Sequence, residues 1–255
     1  MTISIYTAAE KPQLVEQTYE LNAENWPVFL QNSPVSVQFW PMLFEAPFSQ
    51  YQLIATQLDE QGVEQVIGTL NALPVNWNGD DFNELPANGW DTMFMKGIRD
   101  NLVNCNLVSL LAVTVAPSAR GQHLPERLIN HLKERLAKTE ITHLIAAVRP
   151  SLKARYPLQS MQEYLQWKND KNESFDPWVR THERLGAKAY NIAPSSMNIY
   201  ATLDEWTHWT GLKFPVSGHY VIDGGLVVLD VDKFTNMGIY REPNLWMVHT
   251  LSPKK

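Results

Sequence analysis

The sequence has a single cysteine and little excess charge of either sign. Cys105 has no partner within the chain, so no intrachain disulfide is available and a reducing cytoplasm is the expected compartment. The formal net charge is -6, from 21 Lys and Arg against 27 Asp and Glu. This balance argues against broad binding to nucleic acid or to an anionic membrane surface.

The chain also lacks targeting, membrane and metal-binding patterns. Its start, "MTISIYTAAEKPQLVEQ", has no basic segment followed by an apolar core, so it does not read as a signal peptide. No run approaches the roughly 18–20 apolar residues that span a bilayer. The 7 histidines do not fall at metal-ligand spacing. We therefore expect no metal and no membrane partner.

Hydrophobic side chains make up 44% of the 255 residues, and the 9 tryptophans are a high count. This length and composition predict a sizeable core, since Trp buries a large apolar area. We expect a core unit over residues 1–190. A strand-rich extension over residues 191–255 is expected to pack on the same domain.

Apolar periodicity predicts a mixed α+β fold. Helical patterns cover Leu14–Trp26, Asp91–Leu102, Glu126–Lys138 and Pro177–Leu185. A hairpin is predicted from Tyr51–Leu58 and Val66–Val75, and buried strands from Leu107–Val115 and Leu144–Val148. Further strand candidates are Ser196–Thr202, Tyr220–Asp230 and Leu245–Leu251. The Pro-broken segment "WPVFLQNSPVSVQFWPMLFEAPF" is predicted to be irregular with a short helix.

The stretch "LLAVTVAPSARGQHLPERLINHLKERL", residues 110–136, predicts a strand, a basic turn and a helix. A helix N-terminus carries unpaired N–H groups and a partial positive charge, so a turn leading into it can hold a pyrophosphate. Arg120 adds a charged fork of donors. A Gly-Lys-Ser/Thr triplet is absent and Gly121 stands alone, which excludes a Walker motif and a Rossmann fingerprint.

This stretch resembles the GNAT superfamily of acyl-CoA-dependent N-acyltransferases. In that family a strand ending near Val-x-Pro precedes the turn Arg/Gln-x-x-Gly-x-Gly/Ala and a helix; here Val115-Ala116-Pro117 precedes "RGQHLP". The earlier "VIG" and the later "HERLGA" also match family segments, so the resemblance covers about residues 14–187. "RPSLKARYPL" and "DPWVRTHERLGA" resemble a longer GNAT subgroup. The implied fold is a largely antiparallel central sheet with a splayed strand, flanked by helices.

The resemblance also implies how a cofactor binds. Backbone groups of the splayed strand, here Val113 and Val115, would bind the pantetheine arm of acetyl-CoA or another acyl-CoA. The turn would bind the pyrophosphate; its residues here are Arg120, Gly121, Gln122, His123 and Leu124. Two pattern glycines are replaced by His123 and Pro125. Pro125 costs one ligand hydrogen bond but little fold stability, and His123 must either block the pyrophosphate or touch it.

The family's usual acid, a Tyr four residues before a Gly, is His182 here, and the usual Asn seven residues before it is Phe175. His182 has an unperturbed pKa near neutrality, as an acid requires, but a core or surface role is the alternative. Tyr190 is the second candidate acid, with Tyr156 as a further alternative. Asp80, Asp81 and Glu84 are candidate bases, or simply parts of a solvated loop.

Two further segments allow a binding or a structural interpretation. Arg149, Lys153 and Arg155 would face the CoA 3′-phosphate or an acidic substrate, or they form a solvated loop. The aromatic "EWTHWTGLKFPVSGHY" would wall a pocket or plug the core.

The resemblance implies an acyl-CoA-dependent N-acyltransferase, with acetyl-CoA the expected donor and a small-molecule or peptide amine the acceptor. The alternative is a GNAT-fold binding protein that has lost catalysis. A homodimer is left open.

Overall fold

The computed structural model describes residues 3–79 and 81–251. Within these ranges nine strands form one sheet. They are β1 (Ser4–Thr7), β2 (Leu53–Leu58), β3 (Glu64–Val75), β4 (Leu107–Val115), β5 (His143–Val148), β6 (Lys188–Thr202), β7 (Gly218–Tyr220), β8 (Leu229–Asp232) and β9 (Met237–Thr250).

Eight α-helices connect and cover these strands in the described part of the chain. They are α1 (Val15–Asn25), α2 (Val28–Gln31), α3 (Pro34–Phe39), α4 (Gly89–Asp100), α5 (Leu124–Leu136), α6 (Met161–Gln166), α7 (Pro177–Arg184) and α8 (Leu203–Thr210). In the same ranges, the structure has no helix of the length and apolarity needed to cross a bilayer.

The sheet order is β1-β2-β3-β4-β5-β9-β8-β7, and β6 pairs with the opposite edge of β9. Every pairing is antiparallel except that of β4 with β5. The predicted mixed, largely antiparallel sheet is therefore confirmed. The predicted division at residue 190 falls inside β6, and it stays a prediction.

Alternating side chains give the sheet two apolar faces. On one face, Ile145 and Ala147 of β5 join the cluster that contains Trp90, Phe94 and Trp206. On the other face, the cluster around α5 contains Leu144, Ala146 and Val148 of β5 and the helix residues Leu124, Leu128, Ile129, Leu132 and Leu136. The sheet is thus buried on both sides where β4 and β5 run.

The helix and hairpin predictions are confirmed to within two residues, and β4 has the predicted bounds. The predicted strand Tyr220–Asp230 is wrong, because only its ends belong to strands. The loop between β7 and β8 is held there by Arg149 and Lys153. In the aromatic segment Trp206 is fully buried against Phe29 and Tyr240, which supports the core-plug interpretation.

Candidate functional site

A cleft opens in the middle of the sheet, where β4 and β5 separate. The two strands pair only from Leu107 with His143 to Leu110 with Ala146. Leu111 is an extra residue in β4, since Asn71 pairs with Ala112 and Ala72 with Leu110. Such a bulge bends its strand. The cleft therefore lies between the last five residues of β4 and the end of β5, beginning at the bulge.

The indole of Trp90, at the start of α4, holds the bulge in place. Its Nε1 donates to the carbonyl oxygen of Leu111 over 2.8 Å. That carbonyl would otherwise be left without a partner as β5 diverges, and an unpaired buried carbonyl is costly. No local pattern in the sequence predicts this contact, which joins residues 21 positions apart.

Val113 and Val115 direct their backbone groups into the cleft. Ala116 N–H donates to Ile67 O on the β3 side over 2.9 Å, and backbone groups of successive strand residues point to opposite sides. Val115 and Val113 therefore turn theirs away from β3, toward the gap. Pantetheine binding by these two residues stays a prediction, and their backbone direction is the one that it requires.

The turn after β4 presents a row of free N–H groups at the start of α5. Gly121, with a φ of 79°, and His123, with a φ of 53°, both have left-handed backbones. In the part of the chain that the structure describes, the N–H groups of residues 121–124 have no protein acceptor. Four free donors at the start of a helix of 13 residues form a suitable anion site.

Arg120 and Pro125 fit this geometry. Arg120 Nη2 donates to Asn25 Oδ1 at the end of α1 over 3.1 Å, so its charge stays beside the turn. Pro125 is the second residue of α5, where a backbone N–H has no intrahelical acceptor. The missing N–H therefore costs the helix nothing.

His123 tolerates its left-handed backbone better than most residues do. Its side chain is 80% exposed, and its Nδ1 lies 3.3 Å from Glu126 Oε1. The same carboxylate accepts from Arg184 Nη2 over 3.1 Å. The ring therefore lies beside the first turn of α5, next to an ion pair between α5 and α7.

His182 and Tyr190, the two predicted acids, lie near the N-terminal end of β5, where β5 is still paired with β4. His182 is fully buried, and its Nδ1 is 2.9 Å from Nε2 of His249, a residue paired with Leu144. Tyr190 packs on Phe82, whose ring also contacts His143, the first residue of β5. The roles of His182 and Tyr190 as acids stay predictions.

The histidine pair makes stability depend on pH. Burial lowers the pKa of His182 well below 6.5 and that of His249 to about 4, and Lys133 adds a like charge to both. Below pH 6.5 the unfolded chain therefore takes up protons that the folded protein excludes. Through His249 alone, the free energy of unfolding is therefore at its full value above pH 6.5 and is about 2 kcal/mol lower at pH 5.

Urea denaturation at pH 7.5 and pH 5 measures this loss. Burial also raises the pKa of Asp91, to about 6, and protonation of that carboxyl stabilises the folded state as pH falls. The Asp91 effect is present in both the parent and His249→Gln, so it cancels when their losses of stability are compared. The variant is expected to lose less stability between pH 7.5 and pH 5 than the parent does. His208→Gln, at an exposed position, should leave the pH dependence unchanged. Equal losses in the parent and His249→Gln would contradict the assignment.

At one end of the cleft, which we call its mouth, a series of contacts connects four parts of the chain. Thr114 Oγ1 of β4 accepts from Trp26 Nε1 over 2.8 Å. The next residue, Pro27, packs closely on Gly224. A Cβ added to Gly224 would lie only 2.7 Å from Pro27 Cγ. Arg149, just after β5, completes the series because its Nη2 donates to Gly224 O.

Buried charges lie behind Arg149. Its Nε donates to Glu242 Oε1 over 2.8 Å, and Glu242 is fully buried. Tyr240 OH also donates to this carboxylate, over 2.6 Å. Lys153 is fully buried and donates to the carbonyl oxygens of Tyr156 and Leu226, each over 2.7 Å; burial lowers its pKa to about 8. The solvated-loop interpretation is therefore wrong for Arg149 and Lys153, while Arg155 is exposed.

The candidate bases are less well placed. Asp81 and Glu84 are exposed, and Asp80 lies outside the described residues. Sequence reasoning missed Asp91, which is only 5% exposed. Its Oδ2 accepts from Asn198 N–H over 2.8 Å, while its Oδ1 has no partner. In the described ranges no group of three or more His, Cys, Asp or Glu side chains is arranged to hold a metal.

Comparison with known proteins identifies the family. No protein-family model matches the sequence. The arginine N-acetyltransferase avaD of Aspergillus versicolor is 32% identical over 275 positions, covering 97% of this chain and 94% of that protein. The chain belongs to the GNAT superfamily.

Solved GNAT structures share the fold. The loading GNATL domain of CurA from Lyngbya majuscula aligns with a TM-score of 0.65 at 17% identity, over 98% of both chains. A GphF GNAT-like decarboxylase in complex with isobutyryl-CoA aligns at 0.57 with 14% identity, over 99% of this chain and 100% of that one. These likenesses establish the architecture.

As a GNAT superfamily member, the protein is an acyl-CoA-dependent N-acetyltransferase that acts on an amine. The alternative of a binding protein without catalysis is not favoured. Acyl-CoA is its co-substrate, as the GNAT resemblance implied. The free N–H groups of residues 121–124 and the inward backbone of Val113 and Val115 fit such a ligand.

Proposed function

We propose that this GNAT enzyme transfers the acetyl group of acetyl-CoA to an amino group of free arginine. The observation that carries the proposal is the 32% identity, over 97% of the chain, to an arginine N-acetyltransferase. The guanidinium of Arg149, which donates to Gly224 O at one mouth of the cleft, supports a polar acceptor.

The cofactor end of the site is proposed to be the turn. N–H groups of Gly121, Gln122, His123 and Leu124 would hold the pyrophosphate, with Arg120 adding positive charge. Val113 and Val115 would bind the pantetheine arm by backbone hydrogen bonds. Acetyl-CoA supplies the acetyl group as a thioester, and this chain orients it along the cleft.

The acceptor is proposed to enter from the face that carries Trp26, Arg149 and Gly224, opposite to the face that α5 covers. The two substrates would then meet where β4 and β5 separate, so that the amine is held close to the thioester. His182 and Tyr190 stay the acids predicted from the sequence, and both lie toward the paired end of β5 rather than at this meeting point. We expect the enzyme to act in the cytoplasm, as the single cysteine indicates.

Steady-state kinetics test the proposal. The enzyme with acetyl-CoA and arginine is expected to release free CoA and form acetylarginine in equal amounts, detected by thiol titration and by mass. Lysine and a short peptide with a free N-terminus serve as competing acceptors, and arginine is expected to have the highest kcat/KM. A higher kcat/KM for either competitor would overturn arginine as the acceptor.

A further inference from the structure

Arg149 lies at the mouth of the cleft through which we propose that the acceptor enters. It follows the last residue of β5, which forms one wall of the cleft. Strand alternation places it on the same face as Ile145 and Ala147, away from α5. It is therefore on the face from which we propose that the acceptor enters.

The neighbours of Arg149 leave part of its guanidinium unused. Glu242 and Gly224 accept from it, and Tyr240 OH is a third partner. A guanidinium has five N–H groups, so these three partners leave two with no protein acceptor among the described residues. The side chain is 17% exposed, whereas its ion-pair partner Glu242 is fully enclosed. The Arg149 side chain is therefore accessible to a ligand in part, whereas the carboxylate of Glu242 is not.

Buried charged groups surround Arg149. Arg149 and Lys153 contribute two cations, and Glu242 is the carboxylate that interacts with both. Lys153 uses its ammonium group on the carbonyl oxygens of Tyr156 and Leu226. A carboxylate matches the planar fork of an arginine better than other small anionic groups of an amine substrate do.

We propose that Arg149 binds the carboxylate of an amino-acid acceptor, so that the enzyme selects amines that carry a carboxylate over those that lack one. The inference rests on the proposed function and deepens it. Glu242 and Gly224 hold the guanidinium in position, and Gly224 is itself held against Pro27. Arg149 is thus a specificity-determining residue in a preorganised mouth.

Three acceptors that differ only near the carboxylate test this inference. Arginine, arginine methyl ester and agmatine share the guanidinium, and the last two lack the negative charge. The unaltered enzyme is expected to show a kcat/KM about 30-fold higher for arginine than for the ester or agmatine, as the loss of a charged hydrogen bond predicts. Values within threefold for all three would overturn the inference but leave arginine acetylation standing.

The variant Arg149→Lys keeps the positive charge but loses the planar, paired N–H donors of the guanidinium. It is expected to lower kcat/KM for arginine about 30-fold, mainly through KM, and to change the values for agmatine less than threefold. Equal losses on all three acceptors would indicate a merely structural role and overturn the inference. Arg241→Lys, on β9 with a 46% exposed side chain, is the matched control and should leave the preference unchanged. If the unaltered enzyme acetylates none of the three, the proposed function itself fails, and the inference with it.

Discussion

Gly121→Asp is expected to weaken acetyl-CoA binding about 100-fold relative to Gly121→Asn. The two variants share shape and backbone demand, because Asn and Asp both tolerate a left-handed φ such as the 79° of Gly121. A Cβ at this position meets no atom within 4 Å. The variants therefore differ in one negative charge beside the pyrophosphate. At about 5 Å and an effective dielectric constant of about 20, that repulsion amounts to about 3 kcal/mol.

Isothermal titration calorimetry with acetyl-CoA measures the two dissociation constants. High salt should narrow the difference, since exposed charges are screened. An Asp variant that binds as tightly as the Asn variant would place the pyrophosphate away from this turn. Urea denaturation of both variants checks that they are equally stable, so that a difference in binding is not a difference in folding.

Arg149→Met is expected to lower the free energy of unfolding by about 3–5 kcal/mol. The substitution leaves Glu242 fully buried without its cation, and an unpaired buried charge carries a cost of this size. The double variant Arg149→Met, Glu242→Gln removes the charge but keeps an acceptor for Tyr240 and Asn244. It should recover at least about 2 kcal/mol of the loss.

Urea unfolding of the parent, both single variants and the double variant completes this cycle. Additive effects of the two substitutions would show that the two side chains do not interact, contrary to the 2.8 Å contact between Arg149 and Glu242. The lysine variant used above keeps a cation beside Glu242. It is therefore expected to lose less stability than the Met variant does.

Local patterns in the sequence predicted most of the fold. Alternation and apolar runs located β4 and the β2–β3 hairpin, because these strands bury side chains in a regular order. The apolar residues of the loop between β7 and β8 resemble a strand, so the sequence predicts a strand there. Its conformation depends on Arg149 and Lys153, more than 70 positions away, which no local pattern encodes.

The candidate site was predicted in part. The turn at residues 120–125 follows from its neighbours along the chain, so its position after β4 could be read from the sequence. The sequence left open whether His123 blocks the turn. In the structure the ring lies beside Glu126, whose carboxylate also accepts from Arg184, and contact of His123 with the pyrophosphate stays a prediction. Glu242 was missed because Arg149, the cation that pairs with it, lies 93 positions away along the chain.

The central claim is that an atypical turn, with His123 and Pro125 in place of two glycines, still binds the pyrophosphate of acyl-CoA. The most direct measurement is a titration of ¹⁵N-labelled protein with acetyl-CoA, followed by backbone amide shifts. The amide signals of Gly121, Gln122, His123 and Leu124 are expected to shift together and saturably. Acetyl-pantetheine, which lacks the pyrophosphate, should leave them in place. Saturable shifts elsewhere in the protein, with these four amides unmoved by acetyl-CoA, would contradict the account.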